Sequence, residues 1–159
     1  MPESSQKSDF RQPLVAYAAR ILSARPYFAS QLRSKLLLRA EKLKFSAPET
    51  VVESIVADLA SSGYLNDKYL TEAYIRRQLN KGYGPKIISL KLRQLGLDRE
   101  VLSQALKSEA SREAEILSIK HFCRKFPRLD KRKLISKLYT RGYLGATIAV
   151  VFDGDWLED

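Results

Sequence analysis

The side chains that could carry out chemistry in this sequence are few and poorly placed for it. The chain has one histidine and one cysteine, His121 and Cys123. Two positions apart on a helix, they point to different sides, and no further His or Cys completes a metal site or a nucleophile-base pair. Glu113 and Glu115 lie in highly charged sequence, where we expect both carboxylates to be solvated. The pattern therefore predicts no catalytic residue, no metal and no cofactor.

A glycine-rich stretch, residues 82–86 (GYGPK), is a second chemical possibility. Backbone amides at the start of a helix can hold a phosphate. The Gly-Lys-Ser/Thr ending of a nucleotide-binding loop is absent, and Pro85 lacks one of the amides that such a cradle would use. We favour a tight turn between two helices, beside which Lys81, Tyr83 and Lys86 can still face DNA or an acidic protein surface.

Positive charge is concentrated in two blocks. The 159 residues hold 28 Lys and Arg against 18 Asp and Glu, a net charge of +10. Residues 68–93 carry a net charge of +6 and residues 120–141 one of +8, and the acid-rich residues 98–115 lie between them. Both blocks together favour a polyanionic partner, or a protein that holds one, over solvated helix faces. The binding candidates are Arg76, Arg77, Lys81, Tyr83, Lys86, Arg93, Lys120, Arg124, Lys125, Arg128, Lys131, Arg132 and Lys133.

Several tyrosines lie in or beside these blocks, an arrangement that suits base stacking. Tyr74 shares a helical stripe with Leu70 and is expected in the core, whereas Tyr83, at the turn, is the better stacking candidate. The full set is Tyr64, Tyr69, Tyr74, Tyr83, Tyr139 and Tyr143.

Composition limits the class of protein. An apolar fraction of 45 % with 29 % charged residues is typical of a soluble globular chain without a membrane span. A single cysteine excludes an intrachain disulfide, and residues 1–13 lack the apolar run of a secretory signal. We expect a cytoplasmic monomer.

Glycine and proline divide the chain into segments of helical length without period-two alternation. They predict an all-α fold. Ser46 with Glu49 fits a capping box, with Pro48 in the first turn, and Asn66 and Asp98 precede further helices. The nine predicted helices lie near residues 14–24, 28–42, 47–62, 67–80, 85–95, 99–109, 112–125, 131–141 and 145–152.

One of these helices separates a core face from a charged face. Ile88, Leu92 and Leu95 follow the i, i+4, i+7 spacing of a buried stripe, while Lys86 and Arg93 lie on the opposite side. We expect those two basic residues to face solvent together.

An internal repeat groups the helices in threes. Lys-Leu, followed four residues after the leucine by Ala or Gly, begins at Lys35, Lys91 and Lys137. The pattern predicts three-helix units at residues 14–65, 66–109 and 110–152, between a flexible segment at 1–13 and an acidic tail at 153–159. Because so small a unit buries little core alone, neighbouring units should stack into an elongated array.

The middle unit has a more specific sequence pattern than the other two. Residues 63–67 (GYLND), 72–74 (EAY), 79–85 (LNKGYGP) and 92–97 (LRQLGL) resemble the central segment of the RecX family, bacterial regulators of the RecA recombinase. The resemblance covers nearly the whole chain and implies a crescent of three tandem three-helix repeats. It also implies binding in the helical groove of the RecA filament, which the protein would restrain.

The resemblance makes the leading hypothesis a non-enzymatic regulator of homologous recombination, DNA repair and the SOS response. It would bind the filament of RecA on single-stranded DNA and modulate its extension, ATPase and strand exchange. The basic surface would also bind single-stranded DNA, and duplex as well, weakly and without sequence preference. The alternative is a stand-alone helix-turn-helix-like DNA-binding protein or transcription regulator. A third hypothesis is a helical scaffold for acidic proteins.

Overall fold

A computed structural model describes the backbone of residues 3–153 and the side chains of residues 10–153. This part of the chain contains nine α-helices and no β-strand, so the all-α prediction is confirmed. None of these helices combines the length and the apolar character that a membrane crossing needs. The helices are α1 (Glu3–Ala24), α2 (Ala29–Lys42), α3 (Glu49–Ser61), α4 (Asp67–Asn80), α5 (Pro85–Gln94), α6 (Arg99–Glu109), α7 (Arg112–Arg124), α8 (Lys131–Thr140) and α9 (Gly145–Asp153).

The described chain forms two compact units that divide between Leu70 and Thr71, inside α4. In the first unit α1, α2 and α3 pack against one another around a core that includes Leu14, Leu36 and Ile55. In the second, α5 packs on α6, and α9 packs on α7 and α8. The borders of the three repeats, at residues 66 and 110, stay a prediction.

The first helix begins much earlier than predicted. It starts at Glu3 rather than near residue 14 and continues through Pro13, so the segment expected to be flexible is helical from Glu3 onward. Pro13 removes one helix hydrogen bond. Tertiary contacts explain why the helix persists: Leu14 is fully buried, the Phe10 ring lies 4.3 Å from that of Phe45, and Arg11 hydrogen-bonds Ser54 across to α3.

The other eight helices lie within two residues of their predicted bounds. Asp98 caps α6 by accepting the backbone N–H of Glu100 at 2.8 Å, and Asn66 accepts that of Tyr69 at 2.9 Å in α4. The predicted capping box at Ser46 was wrong. α3 begins three residues later, at Glu49, after Pro48, which provides no capping side chain. Of the predicted acidic tail, only Asp153 lies within the described residues, where it ends α9.

Candidate protein and nucleic-acid interface

The basic candidates lie together in the second compact unit. All thirteen candidate positions fall after Leu70, and all but Tyr83 and Lys120, which are half-buried, are exposed. Their exposure follows from helix periodicity, because the apolar stripes of α4, α5, α7 and α8 face inward. This unit therefore presents a strongly positive surface.

Helix α5 has the two faces that its sequence predicts. Ile88 and Leu92 are fully buried and Leu95 is half-buried, while Lys86 and Arg93 are exposed. The prediction for this helix is confirmed. The two cations can be changed without disturbing the packed side of the helix.

The glycine-rich turn before α5 is occupied by protein rather than open to a ligand. The N–H groups of Gly84 and Lys86 donate to the carbonyls of Arg141 and Gly142, at 2.8 and 3.1 Å. The turn between α4 and α5 is thus joined to the turn between α8 and α9. Because the partners of these amides lie inside the protein, the tight-turn interpretation is confirmed over the phosphate cradle.

The Tyr83 ring is already covered by cations. The Lys91 ammonium lies 4.1 Å from the ring centroid and the Arg141 guanidinium 5.0 Å from it. These cation–π contacts compete with a stacking base. Arg141 also lies 4.6 Å from the Phe122 ring and donates to the carbonyl of Gly82 at 3.2 Å, so this cluster stabilises the joint between the two turns.

The other tyrosines divide by burial. Tyr143 is fully buried, and its hydroxyl lies 2.5 Å from that of Ser118, so it is not accessible to a base. Burial raises the pKa of Tyr143 to about 12. Tyr74, predicted in the core, is only half-buried. This burial raises the pKa of its hydroxyl, and the Arg77 guanidinium 5.5 Å from its ring opposes that rise. Tyr64, Tyr69 and Tyr139 remain exposed.

Lys131 and Lys133, both in the second basic block, contact other groups of the protein. Lys131 donates to the carbonyl of Phe152 at 3.0 Å, where its charge offsets the negative end of the α9 dipole. Lys133 forms an ion pair with Asp130 at 3.5 Å. The backbone N–H of Lys133 also donates to that carboxylate, and this hydrogen bond is the main reason that the pKa of Asp130 is lowered. The other exposed cations around the α7–α8 connection are Arg124, Lys125, Arg128 and Arg132.

A cleft of about 620 Å³ lies between α4, α6 and α7. It brings together three sequence-predicted residues, Arg76, Lys120 and Arg124. The Arg76 guanidinium forms an ion pair with Glu109 across the cleft at 2.8 Å. The remaining candidates are outside this lining. No pattern in the sequence predicts the cleft, because it depends on how three separate helices pack.

The single cysteine and the single histidine, the first candidates for chemistry, lie in different surroundings. Cys123 is buried, and burial raises the pKa of its thiol to about 11, so the thiol stays protonated near neutral pH. His121 is exposed at the cleft. Among the side chains that the structure describes, no three His, Cys, Asp or Glu residues gather as metal ligands.

The prediction that Glu113 and Glu115 are both solvated was wrong for Glu115. Glu113 is exposed, whereas Glu115 is only 2 % exposed. Its carboxylate accepts the backbone N–H of Leu144 and the hydroxyl of Thr147, both at 2.8 Å. A carboxylate from α7 therefore caps the first turn of α9 and holds the two helices together.

Comparison with known proteins gives the family. The model of "RecX, second three-helix domain" matches residues 66–106. The regulatory protein RecX of Shigella dysenteriae is 30 % identical over 156 residues, which cover 91 % of this chain and 92 % of that protein. The regulatory protein RecX of Mannheimia succiniciproducens is 31 % identical, covering 91 % of this chain and 94 % of the relative.

A solved structure agrees with the fold. The crystal structure of RecX from Lactobacillus salivarius superposes with a TM-score of 0.76 at 21 % identity, covering 95 % of this chain and 98 % of that one. This likeness concerns the fold, while the curated relatives carry the sequence relationship along nearly the full length of both chains. The chain belongs to the RecX family of regulatory proteins.

Proposed function

We propose that this protein regulates homologous recombination and DNA repair by binding the filament that RecA forms on single-stranded DNA in the cytoplasm. It restrains extension of the filament and thereby lowers its ATPase and strand-exchange activity. Membership of a regulatory family supports this role. The observation that carries it is that the cations of both basic blocks, apart from Lys68, lie on one compact unit and that most of them are exposed.

This role is non-enzymatic. The buried thiol of Cys123 and the buried carboxylate of Glu115 serve packing and helix capping rather than chemistry. RecA hydrolyses the ATP, and this protein acts as a monomer that changes how long the filament persists. No cofactor is needed for binding.

Contact with DNA is electrostatic and weak. Lys81, Lys86 and Arg93 lie around the turn before α5 and on the exposed face of α5, and Arg128 and Arg132 lie around the start of α8. Such side chains neutralise phosphates without reading bases. The protein alone therefore binds single-stranded DNA, and duplex as well, with no strong sequence preference.

The test is RecA activity on single-stranded DNA with and without this protein. We expect substoichiometric protein to lower the ATPase rate and strand exchange and to shorten filaments in electron micrographs, because one blocked subunit stops the addition of many others. Unchanged ATPase rate and filament length at saturating protein would remove the proposal. Tight binding to a defined duplex without RecA would instead favour the helix-turn-helix alternative.

A further inference from the structure

The cleft between α4, α6 and α7 has an apolar wall as well as charge. Leu79 and Ala114 line it, and Leu117, which is 67 % exposed, stands in its lining. Along α7 the residues at positions 117, 120, 121 and 124 follow i, i+3, i+4, i+7 spacing, so they form one stripe toward the cleft. An exposed aliphatic side chain therefore stands beside Lys120, His121 and Arg124.

The cleft is held in shape from two sides. The Ser118 hydroxyl donates to the carbonyl of Leu79 at 2.6 Å, a buried bond that ties α7 to α4. The ion pair of Arg76 with Glu109 ties α4 to α6. A preformed surface of this kind loses little conformational entropy when a partner binds.

The lining indicates a polypeptide rather than a nucleic acid. No Phe, Tyr or Trp is among the described residues that line the cleft, so it offers bases no stacking platform. A phosphate backbone also gains nothing from the exposed aliphatic side chain of Leu117. An acidic peptide with an apolar side chain matches both parts: its carboxylates face Lys120 and Arg124, and its apolar side chain covers Leu117 and Leu79.

We propose that this cleft is the protein-binding site of the chain and takes an acidic polypeptide segment that carries an apolar side chain. The inference rests on the proposed function, which makes RecA the protein that supplies the segment. It divides the basic residues by role: Lys120 and Arg124 contact protein, while Lys81, Lys86 and Arg93 lie on a different part of the unit and contact DNA.

The test uses the full chain, RecA, and single-stranded DNA. Binding to RecA filaments and binding to bare oligothymidylate are measured by fluorescence anisotropy for the wild type, Leu117→Ser and Arg124→Glu. Leu38→Ser is the matched control, because Leu38 is an exposed leucine on α2 that belongs neither to the cleft nor to the exposed face of α5. We expect Leu117→Ser to weaken filament binding at least fivefold and to change binding to bare DNA less than twofold. Arg124→Glu weakens filament binding tenfold or more, and Leu38→Ser changes neither filament binding nor binding to bare DNA.

A photocrosslinker identifies what occupies the cleft. With p-benzoylphenylalanine in place of Leu117, irradiation of the filament complex followed by mass spectrometry should give a crosslink to a RecA peptide rich in Asp and Glu. A crosslink to DNA, or filament binding by Leu117→Ser equal to that of the wild type, would overturn the cleft assignment alone. Wild-type chain that binds no form of RecA would overturn the proposed function and this inference with it.

Discussion

Gly84 and Gly142 meet backbone to backbone: a Cβ atom on Gly84 would lie 2.4 Å from the carbonyl carbon of Gly142. Together with the two hydrogen bonds between the turns, this contact makes one joint from chain segments far apart in the sequence. Glycine is needed at position 84 because the two backbones lie so close together. Its backbone conformation does not require glycine, since a φ of −86° suits any residue. The joint aligns α5 and its exposed cations with the α8–α9 turn.

Substitution of Gly84 by alanine tests this joint. We expect Gly84→Ala to lower the free energy of unfolding by about 1–3 kcal/mol, because the added methyl group meets rigid backbone that must move apart. Urea unfolding followed by circular dichroism measures the change. Unfolding identical to that of the wild type would show that the backbones of Gly84 and Gly142 are not in close contact.

Glu115 should matter far more than the nearby Glu113. Glu115→Ala leaves the N–H of Leu144 and the hydroxyl of Thr147 without their partner in a buried place, at a cost of about 1–3 kcal/mol. Glu113→Ala is the control, and at this exposed position we expect the free energy of unfolding to change much less. Equal effects of the two substitutions in denaturant unfolding would contradict the capping role of Glu115.

The buried stripe of α5 gives a second matched pair. Leu92 is fully buried and Leu90 is 49 % exposed. Leu92→Ala should cost about 2–5 kcal/mol through lost burial and the cavity left behind, and Leu90→Ala about 0.5 kcal/mol or less. Thermal melts of both variants decide the point, and a stable Leu92→Ala protein would mean that α5 does not pack through this side.

Binding of the free protein to single-stranded DNA should depend steeply on salt. If four to six phosphates are neutralised, a plot of log K against log salt has a slope of about −3 to −4. Anisotropy titrations of oligothymidylate over a range of salt concentrations give the slope. A value near zero would show that the exposed cations serve another partner.

Local signals explain how much of the fold was predictable. Asp98, Asn66 and the Gly84–Pro85 pair mark helix starts by their own chemistry, and helices α4 to α9 match the predicted bounds closely. The start of the first helix was predicted wrongly at Pro13, because the local effect of proline, a lost hydrogen bond, is outweighed by the packing of α1 on α2 and α3. Such packing is not visible in a single segment.

The candidate site was predictable only where one helix determines it. The exposure of Lys86 and Arg93 follows from the helical period alone. The burial of Glu115, the cations over Tyr83 and the cleft beside Leu117 each depend on contacts between helices distant in sequence. For the same reason Tyr143, a candidate by its neighbourhood in the basic block, lies in the core.

Reversing the exposed charges of α5 tests whether the basic surface binds the RecA filament. Lys86→Glu with Arg93→Glu should retain the helicity and melting temperature of the wild type and weaken binding to the RecA filament at least tenfold, with loss of ATPase inhibition. Arg99→Glu with Lys107→Glu is the control, because it changes net charge equally at exposed positions of α6 in the same unit. The control pair should inhibit RecA as the wild type does. Inhibition by the α5 pair at wild-type strength would show that Lys86 and Arg93 play no part in binding the filament.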